Sequence, residues 1–308
     1  RHRAVGRGDD PRPFLAVHRG PATAHIPSGD FETLELADSS LRVGVENDLS
    51  FDLRFLRHRE MAKAVVAAFQ PDVVHVTSPG HIGLLGAFVA HDRRVPMVAS
   101  WHTNVHEFGA RRLNQKIRWL PDNARQRTVR WAEARSLDCV MQFYRRAKLL
   151  FAPNPELVAM LEQRTGAPCF LMERGIDIET FSPIHRTRAG SEFVIGFVGR
   201  LSVEKNIRLL VDLDQRLRAQ GLDRHRFLIV GDGGEREWLR SHLPGADLPG
   251  ILRGRALAEA YANMDVFVFP SETDTYGNVI QEALASGVPC VVSAHGGPKY
   301  LVRERETG

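Results

Sequence analysis

A chain of 308 residues, 43% hydrophobic and 25% charged, has the make-up of a globular protein of roughly two domains. No apolar run approaches the roughly 20 residues of a membrane-spanning helix, and the opening RHRAVGRGDDPRPF lacks the apolar core of a signal peptide. The formal charge of +4 permits an anionic ligand or an anionic membrane surface and requires neither, and no nucleic-acid-binding module is recognisable. Cys139, Cys169 and Cys290 stand singly with no CxxC pair, against a disulfide framework or a zinc site and in keeping with a reducing cytoplasm. The first residue is not Met, so the sequence reads as a piece or a processed form.

In chain order, PFLAVHR (13–19) and LRVGV (41–45) read as strands among Pro and Gly turns. Helical periodicity follows over 51–70, then a buried strand PDVVHVTS (71–78), a Gly-spaced helix over 80–91 and a strand VPMVASWH (95–102). An Arg-rich, helix-permitting stretch runs from about 110 to 147, and KLLFAPN (148–154) is again a strand. The polar, Pro-containing segment 177–191 reads as a structureless linker, which divides the chain into domains 1–180 and 181–308. Beyond it, FVIGFVGR (193–200), RFLIVGDG (226–233), GILRG (250–254), DVFVFPS (265–271) and PCVVSAH (289–295) alternate with helical runs. Short continuous apolar strands alternating with helices imply a parallel sheet covered on both faces, so the fold class is α/β.

Ligands in open parallel sheets bind beyond the carboxyl ends of the strands. Four such ends carry Gly-rich or small polar turns: GRLSVEKN, GDGGER, SETDTYGN and HGGPK. Helix N-termini with unpaired amides attract anions, and Arg200 and Lys205 add two positive charges, a combination suited to a diphosphate. Taken singly, each cation reads more simply as a solvated surface residue. Asp274 precedes the helix that opens near Gly277, where a capping role and a sugar-hydroxyl acceptor are both open. Glu282 lies among Val279, Ile280, Ala283 and Leu284 and needs a polar partner, which a ribose would supply.

GRLSVEKN, VGDGGERE and PSETDTYGNVIQEALASGVPCVVSAHGG resemble the donor half of the retaining glycosyltransferases of family four, which have the GT-B fold. That family places two acids eight positions apart before an E-A-x-A-x-G-x-P run; this chain has Asp274, Gly277 and EALASGVP from Glu282. The first acid is usually Glu and here is Asp, one methylene shorter. PDVVHVTSPGHIG, VASWHTN, APNPELVAML and ERGIDIETFSP resemble the acceptor half and its junction less closely. TDTYGNV and SWHTN resemble the branches that move mannose or glucose-type sugars to lipids, the sulfoquinovosyl diacylglycerol synthases included.

The resemblance implies two Rossmann-like α/β/α domains facing a central cleft, acceptor side in 1–180 and donor side in 181–308. It implies transfer of a hexose, with retention, from a nucleotide diphosphate sugar to a glycan or lipid hydroxyl, with no metal and no further cofactor. In those terms Arg200 and Lys205 neutralise the diphosphate, Asp274 takes sugar hydroxyls, Glu282 takes the ribose and His102 reaches the sugar from the other domain. Gly199, Gly231, Gly233 and the run Thr275, Tyr276, Gly277, Asn278 and Val279 line the donor. A cytoplasmic enzyme is expected, with peripheral contact to a membrane a further option. Two rivals stand beside this reading: a nucleotide-sugar epimerase of the same fold, and a non-catalytic nucleotide-sugar binding module.

Two departures matter. The family's Gly-rich loop after the first strand is not recognisable in residues 1–50, and the sequence stops at ERETG where relatives continue. Both suggest truncation, which would leave this piece inactive by itself. Asp212 and Asp214 in DLD lie in a helical pattern, where residues two apart point about 200° apart and cannot share a metal. GDGGER lacks the third Gly of a dinucleotide fingerprint. The stretch 111–135, with Trp119 and Trp131 among many Arg, reads first as a solvated helix face and second as a surface for an anionic or lipid partner. His75 reads as structural.

Overall fold

A computed structural model of the protein describes residues 12–46, 49–104, 109, 113, 114, 117 and 119–308. Its contacts fall into two units, one holding the residues up to His102 with 135–152 and 158–170, the other 103–134, 153–157 and 171–308.

The first unit opens with β1 (Phe14–Gly20), β2 (Ala24–Ser28) and β3 (Phe31–Ala37). β3 is central, parallel to β1 and antiparallel to β2. Pro27 cannot donate to a ladder, and β2 accordingly lies at the sheet edge. β4 (Arg42–Glu46) and β5 (Leu49–Asp52) form an antiparallel hairpin. The helix expected over 51–70 is therefore shorter: a 3-10 turn, Phe55–His58, precedes α1, Arg59–Phe69. The reason is Asp52, which is 1% exposed and accepts hydrogen bonds from the amides of Ser39 and Arg54 at 2.8 Å each. Those bonds turn the chain and fix Asp52 outside any helix.

The chain continues through β6 (Val74–Val76), α2 (His81–Arg93), β7 (Met97–Ser100), α3 (Asp122–Tyr144), β8 (Leu149–Ala152), α4 (Pro155–Thr165) and β9 (Cys169–Leu171), with the first turns of α3, up to Ala134, and the start of α4, up to Leu157, counted in the second unit. The strands lie in the order β6-β7-β8-β9, with β6/β7 and β7/β8 parallel. Of the helical stretch expected from about 110 to 147, α3 takes up Asp122–Tyr144, while residues 110–112, 115, 116 and 118 fall outside the described residues.

The second unit is a five-stranded, wholly parallel sheet of β10 (Phe193–Val198), β11 (His225–Val230), β12 (Asp247–Gly250), β13 (Val266–Phe269) and β14 (Cys290–Val292). Between them run α5 (Leu209–Ala219), α6 (Arg236–His242), α7 (Gly254–Ala262) and α8 (Asn278–Ala285). Val194, Phe197, Ile229 and Phe267 are wholly buried, because helices cover both faces. Burial of each such side chain is worth about 1.5–3 kcal/mol. The third strand of this half ends at Gly250, not 254: Gly254 opens α7, and Ile251, which suggested a strand, is 63% exposed.

The linker is irregular but not loose. Arg186 donates to the carbonyls of Ala262 (3.1 Å) and Met264 (2.9 Å) and to Asp265 (2.6 Å). Arg188 also pairs with Asp265, and the amides of Thr187 and Arg188 donate to Asn263 Oδ1. Asp265 in turn accepts from the Val194 amide at the start of β10. The arginine pairs and the backbone of Val194 hold its carboxyl below the usual range against the opposing effect of burial.

Candidate active site in the second unit

The sheet order β12-β11-β10-β13-β14 sets the position of the site. The chain builds outward from β10 through β11 to β12, then crosses to the other side of β10 to lay down β13 and β14. The loops leaving β10 and β13 thus diverge at adjacent carboxyl ends, which is where such sheets bind ligands.

Gly199 and Arg200 follow β10 directly, and Arg200 is exposed. Lys205 closes a 3-10 turn, Val203–Lys205, four residues before α5 begins at Leu209. From the loop after β13, Asp274 meets it: Lys205 Nζ donates to Asp274 Oδ1 at 2.6 Å and to Oδ2 at 2.7 Å. Both side chains are about one-fifth to one-quarter exposed, so the ion pair is only partly screened. Lys205 Nζ also lies 5.5 Å from the centre of the Phe269 ring. The cation and the acid to which sequence reading gave separate tasks are in direct contact.

The β13 loop is braced from two sides. The amide of Gly297, in the turn after β14, donates to the Asp274 carbonyl at 2.7 Å. Buried Asn154 caps α4 by accepting from the Leu157 amide at 2.9 Å, and its Nδ2 donates to the Thr275 carbonyl at 2.8 Å. Tyr276 is buried; its hydroxyl accepts from the Arg174 amide at 3.1 Å and from Gln281 Nε2 at 2.9 Å. Arg174 Nη1 reaches Asn278 Oδ1 at 3.3 Å.

The loop then enters α8 through Gly277, whose φ of +116° is open to glycine but costly for other residues. A Cβ there would also lie 2.8 Å from Ile280 Cδ1. The first-turn amides of α8, Asn278 and Val279 among them, precede the i−4 ladder and point out of the helix start. Glu282, half-buried one turn further on, accepts a hydrogen bond at Oε2 from Tyr261 Oη at 2.7 Å.

The turn after β11 is packed against the turn after β10. The Leu201 amide donates to the Asp232 carbonyl (2.9 Å) and the Glu235 amide to the Leu201 carbonyl (3.0 Å). At Gly231, φ +142°, a Cβ would run into the Gly199 carbonyl oxygen. Gly233 lies in the same turn, beside Leu201.

The structure thus gathers Gly199, Arg200, Lys205, Gly231, Gly233, Asp274 and the run 275–279 onto neighbouring strand ends, with Glu282 one turn into α8. His102 lies in the first unit, just beyond β7, where buried Trp101 packs on Tyr144 and donates its amide to the Phe151 carbonyl. His75 contacts Ser100 and the edge of Phe151. Asp212 and Asp214 lie on α5, where Asp214 pairs with Arg218 and His225. A groove of about 570 Å³ in the first unit, lined among others by Arg135, Arg145 and Arg164, contains none of the predicted donor-site residues. Sequence reading missed Tyr261, Arg174 and Asn154. Only Asn154 left a local signal, an Asn before the Pro that opens a helix.

Two family models match the chain: Glycosyltransferase Family 4 over residues 26–180 and Glycosyl transferases group 1 over residues 192–308. A GDP-mannose-dependent alpha-mannosyltransferase of Mycolicibacterium smegmatis is 34% identical over 97% of this chain and 73% of its own length. A sulfoquinovosyl transferase of Arabidopsis thaliana is 30% identical over 79% of this chain and 46% of its own. Among solved structures, a sucrose-phosphate synthase from Thermosynechococcus elongatus aligns with a TM-score of 0.68 at 20% identity, covering 96% of this chain and 74% of that one. Anabaena HepE in complex with UDP and glucose aligns with a TM-score of 0.57 at 19% identity, covering 88% and 70%. The fold they share is GT-B.

Proposed function

The chain belongs to glycosyltransferase family 4 and is a nucleotide-sugar glycosyltransferase; we propose that it moves a hexose to a hydroxyl acceptor with retention at the anomeric carbon and without a metal. The observation that carries this reading is the meeting of Lys205 and Asp274 at the β10/β13 switch point, beside the start of α8. In this proposal Arg200 and Lys205 stabilise the departing diphosphate, aided by the amides of Asn278 and Val279. Asp274 accepts from the sugar hydroxyls, Glu282 accepts from the ribose, and His102 serves the sugar from the acceptor-side domain. That domain is taken as 1–180 and the donor side as 181–308.

The bond from the anomeric carbon to the phosphate oxygen breaks, and positive charge develops on the sugar. The new bond forms from the acceptor oxygen on the same face, and the departing phosphate oxygen takes the acceptor proton. Lys205 is held by both oxygens of Asp274, so one cation links the carboxylate at the sugar to the phosphate leaving it. No side chain is assigned as a covalent nucleophile.

The relatives' names make GDP-mannose the first donor to test and a sulfoquinovosyl donor the second. For the acceptor we propose a lipid or glycan, in the cytoplasm and at or near a membrane surface. The support is on α3, where Trp131 is 64% exposed between the exposed Arg127, Arg130 and Arg135. No helix among the described residues is long and apolar enough to cross a membrane. A panel of nucleotide sugars screened by melting temperature should pick out one donor, since binding to the folded state alone raises it. Turnover that survives both Arg200→Ala and Lys205→Ala would overturn the proposal, and an epimer formed from donor alone would replace transfer with epimerisation.

A further inference from the structure

We infer that Asn154 is a positioning residue for the donor: its side-chain amide holds the Thr275–Tyr276 peptide, so that the backbone running from Asp274 into α8 is set before the nucleotide diphosphate arrives. This rests on the reading of residues 274–279 as the donor lining. Residues 153–157 group with the second unit, although the chain on either side of them, 135–152 and 158–170, groups with the first. Within that piece Asn154 is 3% exposed. Its two polar atoms serve two masters: Oδ1 accepts from the Leu157 amide at 2.9 Å, and Nδ2 donates to the Thr275 carbonyl at 2.8 Å.

The second bond acts on a whole peptide unit. A peptide is planar and trans, so fixing the Thr275 carbonyl also fixes the Tyr276 N–H, which points the opposite way. The same unit is pressed by the turn after β14: a Cβ on Gly297 would run into the Thr275 carbonyl and the Tyr276 nitrogen, and the Gly297 amide donates to the Asp274 carbonyl one residue earlier. That turn is tied to the same piece of chain, since Lys299 Nζ bonds Glu156 in the first turn of α4. Immediately before the clamped peptide stands Asp274, in contact with Lys205, and immediately after it stands Gly277, which opens α8. A loop held at this point presents its carboxylate and its helix-start amides at a fixed spacing, which lowers the ordering cost of binding. The two neighbours of Asn154 demand a side chain that accepts on one side and donates on the other. Serine and aspartate also cap helices, but serine is too short to reach Thr275 and aspartate turns an oxygen toward a carbonyl oxygen.

The test measures binding of GDP and UDP by calorimetry, with the melting temperature beside it, in the native chain, Asn154→Ser, Asn154→Ala and Asn154→Asp. Asn154→Ser keeps a capping oxygen, so its melting temperature should stay close to native while the preferred nucleotide binds about three- to tenfold more weakly. Asn154→Ala loses the cap as well; it should melt lower yet bind no more weakly than Asn154→Ser. Asn154→Asp should show the same deficit at neutral pH and recover toward the native chain at matched pH under acid, where the protonated carboxyl again donates. Affinity that is native in Asn154→Ser and falls only with the melting temperature in Asn154→Ala assigns the asparagine a capping role alone and overturns the inference. A deficit in Asn154→Asp that acid leaves unchanged overturns it too. A native chain that binds neither nucleotide sinks the donor site itself, an outcome distinguishable from failure at Asn154.

Discussion

Asp274 and Glu282 are eight residues apart in one motif, yet the protein holds them by opposite means. Asp274 lies in a loop and is gripped by a cation through both of its oxygens. Glu282 lies on α8 and is held through one oxygen by a buried neutral hydroxyl. A carboxylate tied to lysine trades charge for position, and on the proposed reading its partner also serves the departing phosphate. The bond from tyrosine brings no charge of its own. On the proposed reading the pair does not work as an acid and a base: one acid serves the sugar beside a cation and the other serves the ribose.

The contrast can be broken most sharply at Lys205. On the proposed reading Lys205→Ala removes a stabiliser of the leaving group and strands Asp274, so kcat should fall about a hundredfold to a thousandfold in a donor-saturated assay. Adding Asp274→Asn to that variant should cost much less than Asp274→Asn does in the native background, because the two act as a unit. Purely additive losses would separate them. Glu282→Gln should instead raise the donor KM by about tenfold and move kcat little, the signature of lost uniform binding.

A third carboxylate gives the scale for an acid with no ligand to serve. Asp52 is buried, and the Ser39 and Arg54 hydrogen bonds with Arg57 hold its pKa at about 2 against the opposing pull of burial. A folded pKa below the ordinary 3.8 stabilises the fold above that value, and the gain is lost as pH falls from about 3.8 to about 2. Asp52→Asn should cost about 2 kcal/mol at neutral pH and flatten the acid limb of a denaturation series. An unchanged limb would show that Asp52 contributes no such term. An effect of similar size belongs to the backbone that spaces the two acids: Gly277→Ala, forced to a φ of +116°, should cost about 1–3 kcal/mol in stability, read from a denaturant midpoint.

The stretch from 193 onward was legible because its strands are buried on both faces and spell themselves as unbroken apolar runs. FVIGFV and VFVF became β10 and β13, and their turns carry the motif residues. Residues 12–70 were harder for a physical reason. Their first sheet mixes a parallel and an antiparallel partner around β3, and the edge strand β2 carries a proline and exposed side chains that mask any alternation. The periodicity from Phe51 ran through a strand end and a 3-10 turn because apolar spacing alone does not register the turn that Asp52 makes. At the site, Lys205 and Asp274 were named from the motif, but their bond crosses 69 residues of sequence. The partners of Glu282 and of the Thr275 carbonyl lie 21 and 121 residues away and belong to no local pattern.

The packing of Gly231 against the Gly199 carbonyl has a consequence for reading variants. Any side chain at 231 would push on the strand end that carries Arg200, without touching a ligand or altering a charge. A survey scored only by turnover would then rank position 231 beside Arg200 and Lys205 and count it as chemistry. Its failure would be one of aim: every functional group present, the cation displaced, and the damage answering to smaller residues at the neighbouring strand end, not to added salt or a better donor.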